Sequence, residues 1–147
     1  MVDRKTIDDI LKVYGESWTD QDPDKILTIF TEDAIYLERA FDEEGQYYGH
    51  QQIQDYWVSK VVGEQYDIKF KVLNVYIDGN TAIAEWEAEL SSRVKNKRIR
   101  MRETAILEMQ GDKIKSLREY WQSEKLYDIL EAKSSPALPS CPVLPQS

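Results

Sequence analysis

The feature that most constrains the fold is a run of four long strand signals in the second half of the chain. Each signal combines β-branched or aromatic residues with alternating polarity, and together they cover residues 66–77, 81–93, 97–110 and 113–122. The segments between them have compositions typical of hairpin turns: Asp78-Gly79-Asn80, Lys95-Asn96-Lys97 and Gln110-Gly111-Asp112. Because short turns join neighbouring antiparallel strands, the pattern predicts a four-stranded meander.

The first half of the chain predicts three helices and one short strand. Helical spacing of apolar residues favours an amphipathic helix over residues 3–20, with one face formed by Ile7, Leu11, Tyr14 and Trp18. A second helix should begin where Asp22 can cap and Pro23 takes the first position, burying Ile26, Leu27, Ile29 and Phe30. A strand from Ala34 to Glu38 follows, and then a helix from about Gly49 that buries Ile53, Tyr56, Trp57 and Val61. Helices placed before a meander indicate a segregated α+β domain.

Composition narrows the class of protein. A chain of 147 residues with 41% hydrophobic residues is expected to form one globular domain, over residues 1–132. Residues 133–147 are rich in proline, and they carry no charge from Ser134 onwards. This composition predicts a tail outside the core. The net charge of −8 argues against a nucleic-acid partner. The absence of a signal-peptide core or a long apolar run predicts a cytoplasmic protein without a membrane partner.

Two glutamates stand where apolar side chains would be expected. Alternation along residues 101–109 places Glu103 on the face that carries Met101, Ala105, Leu107 and Met109. In the next strand, Glu119 shares its face with Leu117 and Trp121. A carboxylate in apolar surroundings costs several kcal/mol unless it is paired or neutralised, so the two glutamates predict a pocket with perturbed acids.

The opposite face of the same strands is expected to carry paired charges. Alternation turns Arg98, Arg100 and Arg102 outward, and the preceding strand presents Glu85, Glu87 and Glu89 on that side. Opposite charges on neighbouring strands attract one another, so the basic run predicts a charge ladder rather than a nucleic-acid surface.

Several short motifs together resemble a known superfamily. They are Tyr14…Trp18…Asp22-Pro23-Asp24, Phe30-Thr31-Glu32-Asp33-Ala34, Gly49-His50-Gln51-Gln52-Ile53, and Gly111-Asp112-Lys113-Ile114…Arg118-Glu119-Tyr120-Trp121. The chain resembles, over about residues 5–125, the SnoaL-like group with the nuclear transport factor two-like fold. That group includes ketosteroid isomerases, polyketide cyclases, limonene epoxide hydrolase and scytalone dehydratase. The resemblance implies a cone-shaped, curved antiparallel sheet of about four to six strands wrapped around a long N-terminal helix. It also implies a deep pocket and a homodimer formed through the outer sheet face.

The resemblance to ketosteroid isomerases also implies roles for individual residues. Tyr14 stands at the position of their helix-one tyrosine, and Glu38 stands where their general-base aspartate lies. Glu103 is the nearest match to their protonated second aspartate, and Trp121 resembles their pocket tryptophan. The acids here are glutamates, one methylene longer than the aspartates of those enzymes. The epoxide hydrolase triad would fall on Ala88, Trp86 and Glu119, so only one of its carboxylates is present.

These residues define a candidate site for proton chemistry. The catalytic candidates are Glu38, Tyr14, Glu103 and Glu119, and the ligand-binding candidates are Trp18, Tyr36, Trp86, Met101 and Trp121. A carboxylate base would remove a proton next to a carbonyl, while two neutral donors hold the enolate oxygen. Glu103 and Glu119 are expected to lie opposite one another and to share one proton near neutral pH. No cofactor and no metal are expected, because His50 is the only histidine and the one cysteine lies in the tail.

Two classes of function remain open from the sequence. In the first class, the pocket binds a small, largely apolar ligand that has a carbonyl or hydroxyl group and is either uncharged or cationic. The protein would then act on this ligand as an isomerase, dehydratase or cyclase. In the second, the inner acids form a structural pair closed by an arginine or a tyrosine hydroxyl, and the domain is a dimeric scaffold or protein-interaction module. The two classes differ in the cavity that they require, since an enzyme needs an open pocket of roughly a few hundred Å³.

Overall fold

A computed structural model describes residues 1–130 of the chain. The elements in chain order are α1 (Arg4–Thr19), a 3-10 helix (Lys25–Ile29), β1 (Phe30–Leu37), a 3-10 turn (Glu43–Gly45), β2 (Gln46–Tyr48), α2 (Gly49–Tyr56) continued by a π-helical turn (Trp57–Val62), β3 (Gln65–Asp78), β4 (Thr81–Ser92), β5 (Lys97–Gln110) and β6 (Lys113–Asp128). The predicted Pro-rich tail at residues 133–147 lies outside the described residues.

The strands form one curved, six-stranded sheet in the order β2-β1-β6-β5-β4-β3. The predicted meander is confirmed, because β3 to β6 pair antiparallel in sequence order. The expectation of a purely antiparallel sheet was wrong, since β1 runs parallel to β6. Register shifts in β3, between Tyr66 and Lys69 and between Val72 and Asn74, interrupt its ladder with β4. Such irregularities bend a strand and increase its twist, which curves the sheet.

The first helix was predicted correctly to within one residue at each end. The side chain of Asp3 accepts a hydrogen bond from the Thr6 amide at 2.8 Å and caps its first turn. The buried face packs against β3 and β4, where the ring centres of Tyr14 and Trp86 lie 4.8 Å apart. A Cβ atom at Gly15 would lie 2.5 Å from a ring carbon of Phe70, so this position requires glycine for the helix to pack so closely.

The prediction of three helices was wrong, because only two α-helices are found in residues 1–130. The Asp22 side chain does accept from the Lys25 amide at 3.0 Å, but only a five-residue 3-10 helix follows, and its N-cap residue is Asp24. Phe30 belongs instead to β1, where it pairs with Ile114 of β6. Pairing with a neighbouring strand has overridden the local helical pattern, as is common for short apolar segments.

The outer sheet face carries part of the predicted charge ladder. Arg102 pairs with Glu87 at 2.6 Å and Arg98 with Glu89 at 2.8 Å. Arg100 pairs instead with Glu124 on β6, and Glu85 accepts a hydrogen bond from Asn74. Arg98 is only 3% exposed, and its guanidinium also donates to the carbonyl of Asp67. Among residues 1–130, no helix is long and apolar enough to cross a membrane.

Candidate functional site

A cavity of about 180 Å³ lies between the two helices and the inner face of the sheet. Its walls come from α1, the end of β1, α2 with its π-helical turn, and strands β4 to β6. Eight of the nine residues predicted for the site line it, namely Tyr14, Trp18, Tyr36, Glu38, Met101, Glu103, Glu119 and Trp121. The elements of the fold therefore bring most of the candidate residues to one place.

Glu119 is the best-defined group in the cavity. The hydroxyls of Tyr14 and Tyr36 both donate to its Oε2 atom, at 2.6 and 2.8 Å. These two hydroxyls lie 3.0 Å apart, so the three groups form one compact cluster. Because Tyr14 comes from α1, Tyr36 from β1 and Glu119 from β6, the cluster joins three elements that are distant in sequence.

Burial of Glu119 raises the pKa of its carboxyl from 4.5 to about 7. The two tyrosine donors lower the pKa by stabilising the charged form, but they only partly offset the loss of water. The negative charge of Glu38 adds to the increase. A carboxyl with this pKa can both take up and release a proton near neutral pH, which is the property that a general acid or base needs.

Glu103 is held differently. It is 3% exposed and accepts a short hydrogen bond from the indole N–H of Trp86. Burial raises the pKa of the Glu103 carboxyl well above its usual value, and the nearby charge of Glu119 raises it further. The Trp86 donor opposes this shift without cancelling it. Glu103 therefore holds its proton to a higher pH than a glutamate in water does.

The predicted cross-strand pairing of the two acids was wrong by two residues. Glu103 stands opposite Trp121 on β6 and opposite Trp86 on β4, while Glu119 stands opposite Ala105. The acids are therefore diagonal neighbours on the inner face. Diagonal positions of this kind are generally separated by roughly 7–8 Å. Each acid has its own donors, and the two interact through their charges.

Glu38 follows the last residue of β1 and lines the same cavity, as the sequence predicted. Burial raises the pKa of its carboxyl, and the positive charge of Arg39 opposes that shift. The Arg39 Nε atom lies 3.4 Å from Glu38 Oε1, so this acid has a cationic neighbour. The Trp121 indole donates to the backbone carbonyl of Glu38 at 3.2 Å and joins β6 to the end of β1.

Trp86 is the one predicted ligand-binding residue that does not line the cavity. Its side chain is fully buried, with its ring 5.5 Å from that of Phe70. The indole contacts Glu103 instead, so Trp86 positions an acid rather than a ligand. The Tyr14 hydroxyl donates to Glu119, so its proton is engaged in a hydrogen bond within the protein.

Sequence reasoning missed several cavity residues. Tyr56 and Trp57 were predicted only as the buried face of a helix, yet both line the cavity. The indole Nε1 of Trp57 is buried and has no hydrogen-bond partner among the described residues. Gln65 also lines the cavity and accepts from the Trp18 indole at 2.8 Å. The dense run of aromatic residues at 56–57 was the available signal, but it is equally typical of core packing.

The remaining lining residues include two charged side chains, Glu64 and Lys95. Both are more exposed than the inner acids, and Lys95 lies in the turn between β4 and β5. Within residues 1–130, no group of three or more histidine, cysteine, aspartate or glutamate side chains is arranged to hold a metal ion.

The fold and this inner acid cavity define a SnoaL-like domain. The SnoaL-like domain family matches residues 11–117, and the chain belongs to that family. No curated protein matches the chain.

Solved structures share the fold at low sequence identity. One is a protein with a ketosteroid isomerase-like fold from Catenulispora acidiphila, solved in complex with trimethylamine. It is 18% identical to this chain with a TM-score of 0.67, and the match covers 86% of this chain and 97% of that protein. A candidate isomerase from Bacillus subtilis is 18% identical with a TM-score of 0.73, and the match covers 83% of this chain and 90% of the isomerase. A type 2 hexachlorocyclohexane dehydrochlorinase is 15% identical with a TM-score of 0.70, and the match covers 92% of this chain and 95% of the dehydrochlorinase.

Proposed function

We propose that this protein binds a small, largely apolar molecule with a carbonyl or hydroxyl group and catalyses proton transfer on it without a cofactor. The reaction would be an isomerisation, a dehydration or a cyclisation. The observation that carries the proposal is the buried Glu119 carboxyl, whose pKa of about 7 and two tyrosine donors suit a group that exchanges protons at neutral pH.

The contacts favour particular roles for the acids. Glu119 would move the proton, because its donors stabilise the carboxylate without protonating it. Glu103 would stay protonated and donate to a developing oxyanion, since burial strongly disfavours its charge. Glu38 is a second candidate base, because burial raises the pKa of its carboxyl even though the neighbouring Arg39 opposes that rise.

The size of the cavity limits the substrate. Its volume of about 180 Å³ is below the roughly 300–1,000 Å³ that drug-sized ligands occupy. A cavity of about 150 Å³ in another protein holds benzene, so a compound of that scale fits better than a steroid. The trimethylamine bound by the Catenulispora protein belongs to the same small size class.

A non-catalytic function has one observation in its favour. Tyr14 and Tyr36 already supply hydrogen bonds to Glu119, so the acid could be a structural group closed by tyrosine hydroxyls. On the outer face, the paired residues Tyr76 and Ile83 are 60% and 37% exposed, which suits a homodimer interface. This alternative is a cytoplasmic dimeric scaffold, and it predicts no turnover of any small molecule.

Deuterium incorporation tests the two functions. The full chain is incubated in D₂O with a panel of small ketones, enones and β-hydroxy carbonyl compounds, and loss of the proton next to the carbonyl is followed by proton NMR. We expect catalysed exchange with at least one compound, and its loss in Glu119→Gln. The matched control is Glu87→Gln, which changes an outward-facing glutamate paired with Arg102 and should leave the exchange rate unchanged. Equal exchange in Glu119→Gln and the wild type would exclude the role given to Glu119.

A further inference from the structure

The charges that line the cavity are strongly unbalanced. Four of its lining residues are glutamates and one is a lysine. The outer two acids have cationic neighbours, since Arg39 lies 3.4 Å from Glu38 and Lys60 lies 3.3 Å from Glu64. Glu103 and Glu119 form no salt bridge within the described part of the chain, and their hydrogen bonds come from hydroxyl and indole groups.

The walls around these two acids are aromatic. Six rings line the cavity, from Tyr14, Trp18, Tyr36, Tyr56, Trp57 and Trp121. The face of such a ring attracts a cation within about 6 Å of its centre, most strongly when water is excluded. An anion would meet both the carboxylates and the negative ring faces, so the cavity discriminates against negatively charged ligands.

One buried donor in the wall lacks a partner. The Trp57 indole is 1% exposed and its N–H has no acceptor among the described residues. A buried N–H without an acceptor costs about 1–3 kcal/mol relative to a satisfied one. Trp57 lines the cavity, so a ligand oxygen that reaches this N–H would supply the missing acceptor.

We propose that the cavity binds a small organic cation, an ammonium compound of roughly six to nine non-hydrogen atoms that also carries a hydroxyl or carbonyl oxygen. This inference rests on the proposed function, and it makes the substrate of that reaction a charged amine. The ammonium group lies against Glu119 and the aromatic rings. The oxygen accepts from the Trp57 indole.

Binding of such a cation depends on the charge of Glu119. The groups that face this carboxyl are Tyr14 from α1, Tyr36 from β1, Glu103 from β5, and the more distant Glu38 and Tyr56. When Glu119 is ionised, one ammonium group placed against it balances its negative charge. Affinity should therefore rise with pH as Glu119 loses its proton, and cation binding at lower pH should release a proton.

Choline and its uncharged carbon analogue 3,3-dimethylbutan-1-ol are the probes, because they share a shape and differ in charge. Isothermal titration calorimetry on the full chain at pH 8 and pH 6, in two buffers with different ionisation enthalpies, gives the affinities and the protons released. We expect choline to bind about tenfold more tightly than the alcohol at pH 8. The choline affinity should fall about tenfold between pH 8 and pH 6 as Glu119 becomes protonated.

Glu119→Gln should abolish the preference for choline over the alcohol, and the exposed control Glu87→Gln should retain it. The comparison of the two probes on the wild type does not depend on the folding of either variant. Equal or tighter binding of the alcohol at pH 8, or no binding of choline, would overturn the inference. Deuterium exchange on neutral carbonyl compounds would then still support the proposed proton transfer, so the two failures are distinguishable.

Discussion

The folded protein should lose stability as the pH rises from 5 to 7, because the buried Glu119 carboxyl holds its proton more tightly in the folded chain than in the unfolded one. Its pKa is raised from 4.5 to about 7. Between these values the folded state binds more protons than the unfolded state, so each increase in pH favours unfolding. The stabilising contribution is complete below pH 4.5 and is lost as the pH passes through about 7.

The magnitude follows from the size of the pKa shift. One pKa unit corresponds to about 1.4 kcal/mol, so the whole window represents about 3 kcal/mol of unfolding free energy. About 2 kcal/mol of this falls between pH 5 and pH 7. The Glu103 carboxyl, whose pKa is also raised, contributes with the same sign.

The exposed acids change the stability of the fold only at pH values below the range from 5 to 7. Hydrogen bonds and ion pairs lower the pKa values of Asp3, Glu16, Glu87 and Glu89 below their usual values of 3.8 and 4.5. Groups with lowered pKa values stabilise the fold above those usual values and lose that effect as the pH falls further. Their contribution is therefore constant between pH 5 and pH 7, where the buried acids titrate.

Urea unfolding followed by tryptophan fluorescence at pH 5, 6 and 7 measures the effect. In Glu119→Gln the side chain cannot titrate, so the decrease between pH 5 and pH 7 should be smaller by about 2 kcal/mol. The exposed control Glu87→Gln should keep the wild-type slope. A wild-type stability that is constant or rises over this range, or an unchanged slope in Glu119→Gln, would refute the reasoning.

Two further variants test the contacts of the inner acids. Tyr36→Phe removes a donor to the Glu119 carboxylate, so carbon-detected NMR titration should find its pKa raised by about 1 unit, whereas the exposed Tyr48→Phe should leave it unchanged. Trp86→Phe leaves a buried acceptor without its donor and should lower the unfolding free energy in urea by about 1–3 kcal/mol. Trp121→Phe, at a residue 39% exposed, should cost less than about 1 kcal/mol, and equal losses in the two tryptophan variants would contradict the assignment.

The sequence predicted the meander and the inward direction of Glu103 and Glu119 because both depend on local patterns. Strand alternation has a period of two, so an acid in register with apolar neighbours must share their face. Glycine turns fixed the ends of the hairpins, and Gly79 and Gly111 adopt the positive φ of 63° that such turns require.

The errors arose where distant parts of the chain meet. Residues 26–30 have an apolar pattern compatible with a helix or a strand, and pairing of Phe30 with Ile114 on β6 decides the outcome. That contact joins positions far apart in sequence, and no local signal encodes it. For the same reason the sequence could not reveal that Tyr14 donates to Glu119, or that Trp86 lies behind the cavity wall.

The pH dependence of stability and the proposed preference for a cation have one physical origin. An ionised Glu119 destabilises the fold near pH 7, because its carboxylate is buried and forms no salt bridge within the described residues. A bound ammonium would compensate the same charge, so the stabilisation by choline should be largest where the unliganded protein is least stable. A thermal shift that increases with pH between 6 and 8 is therefore expected for choline. The uncharged alcohol should give a shift that does not change with pH, since it has no charge to balance Glu119.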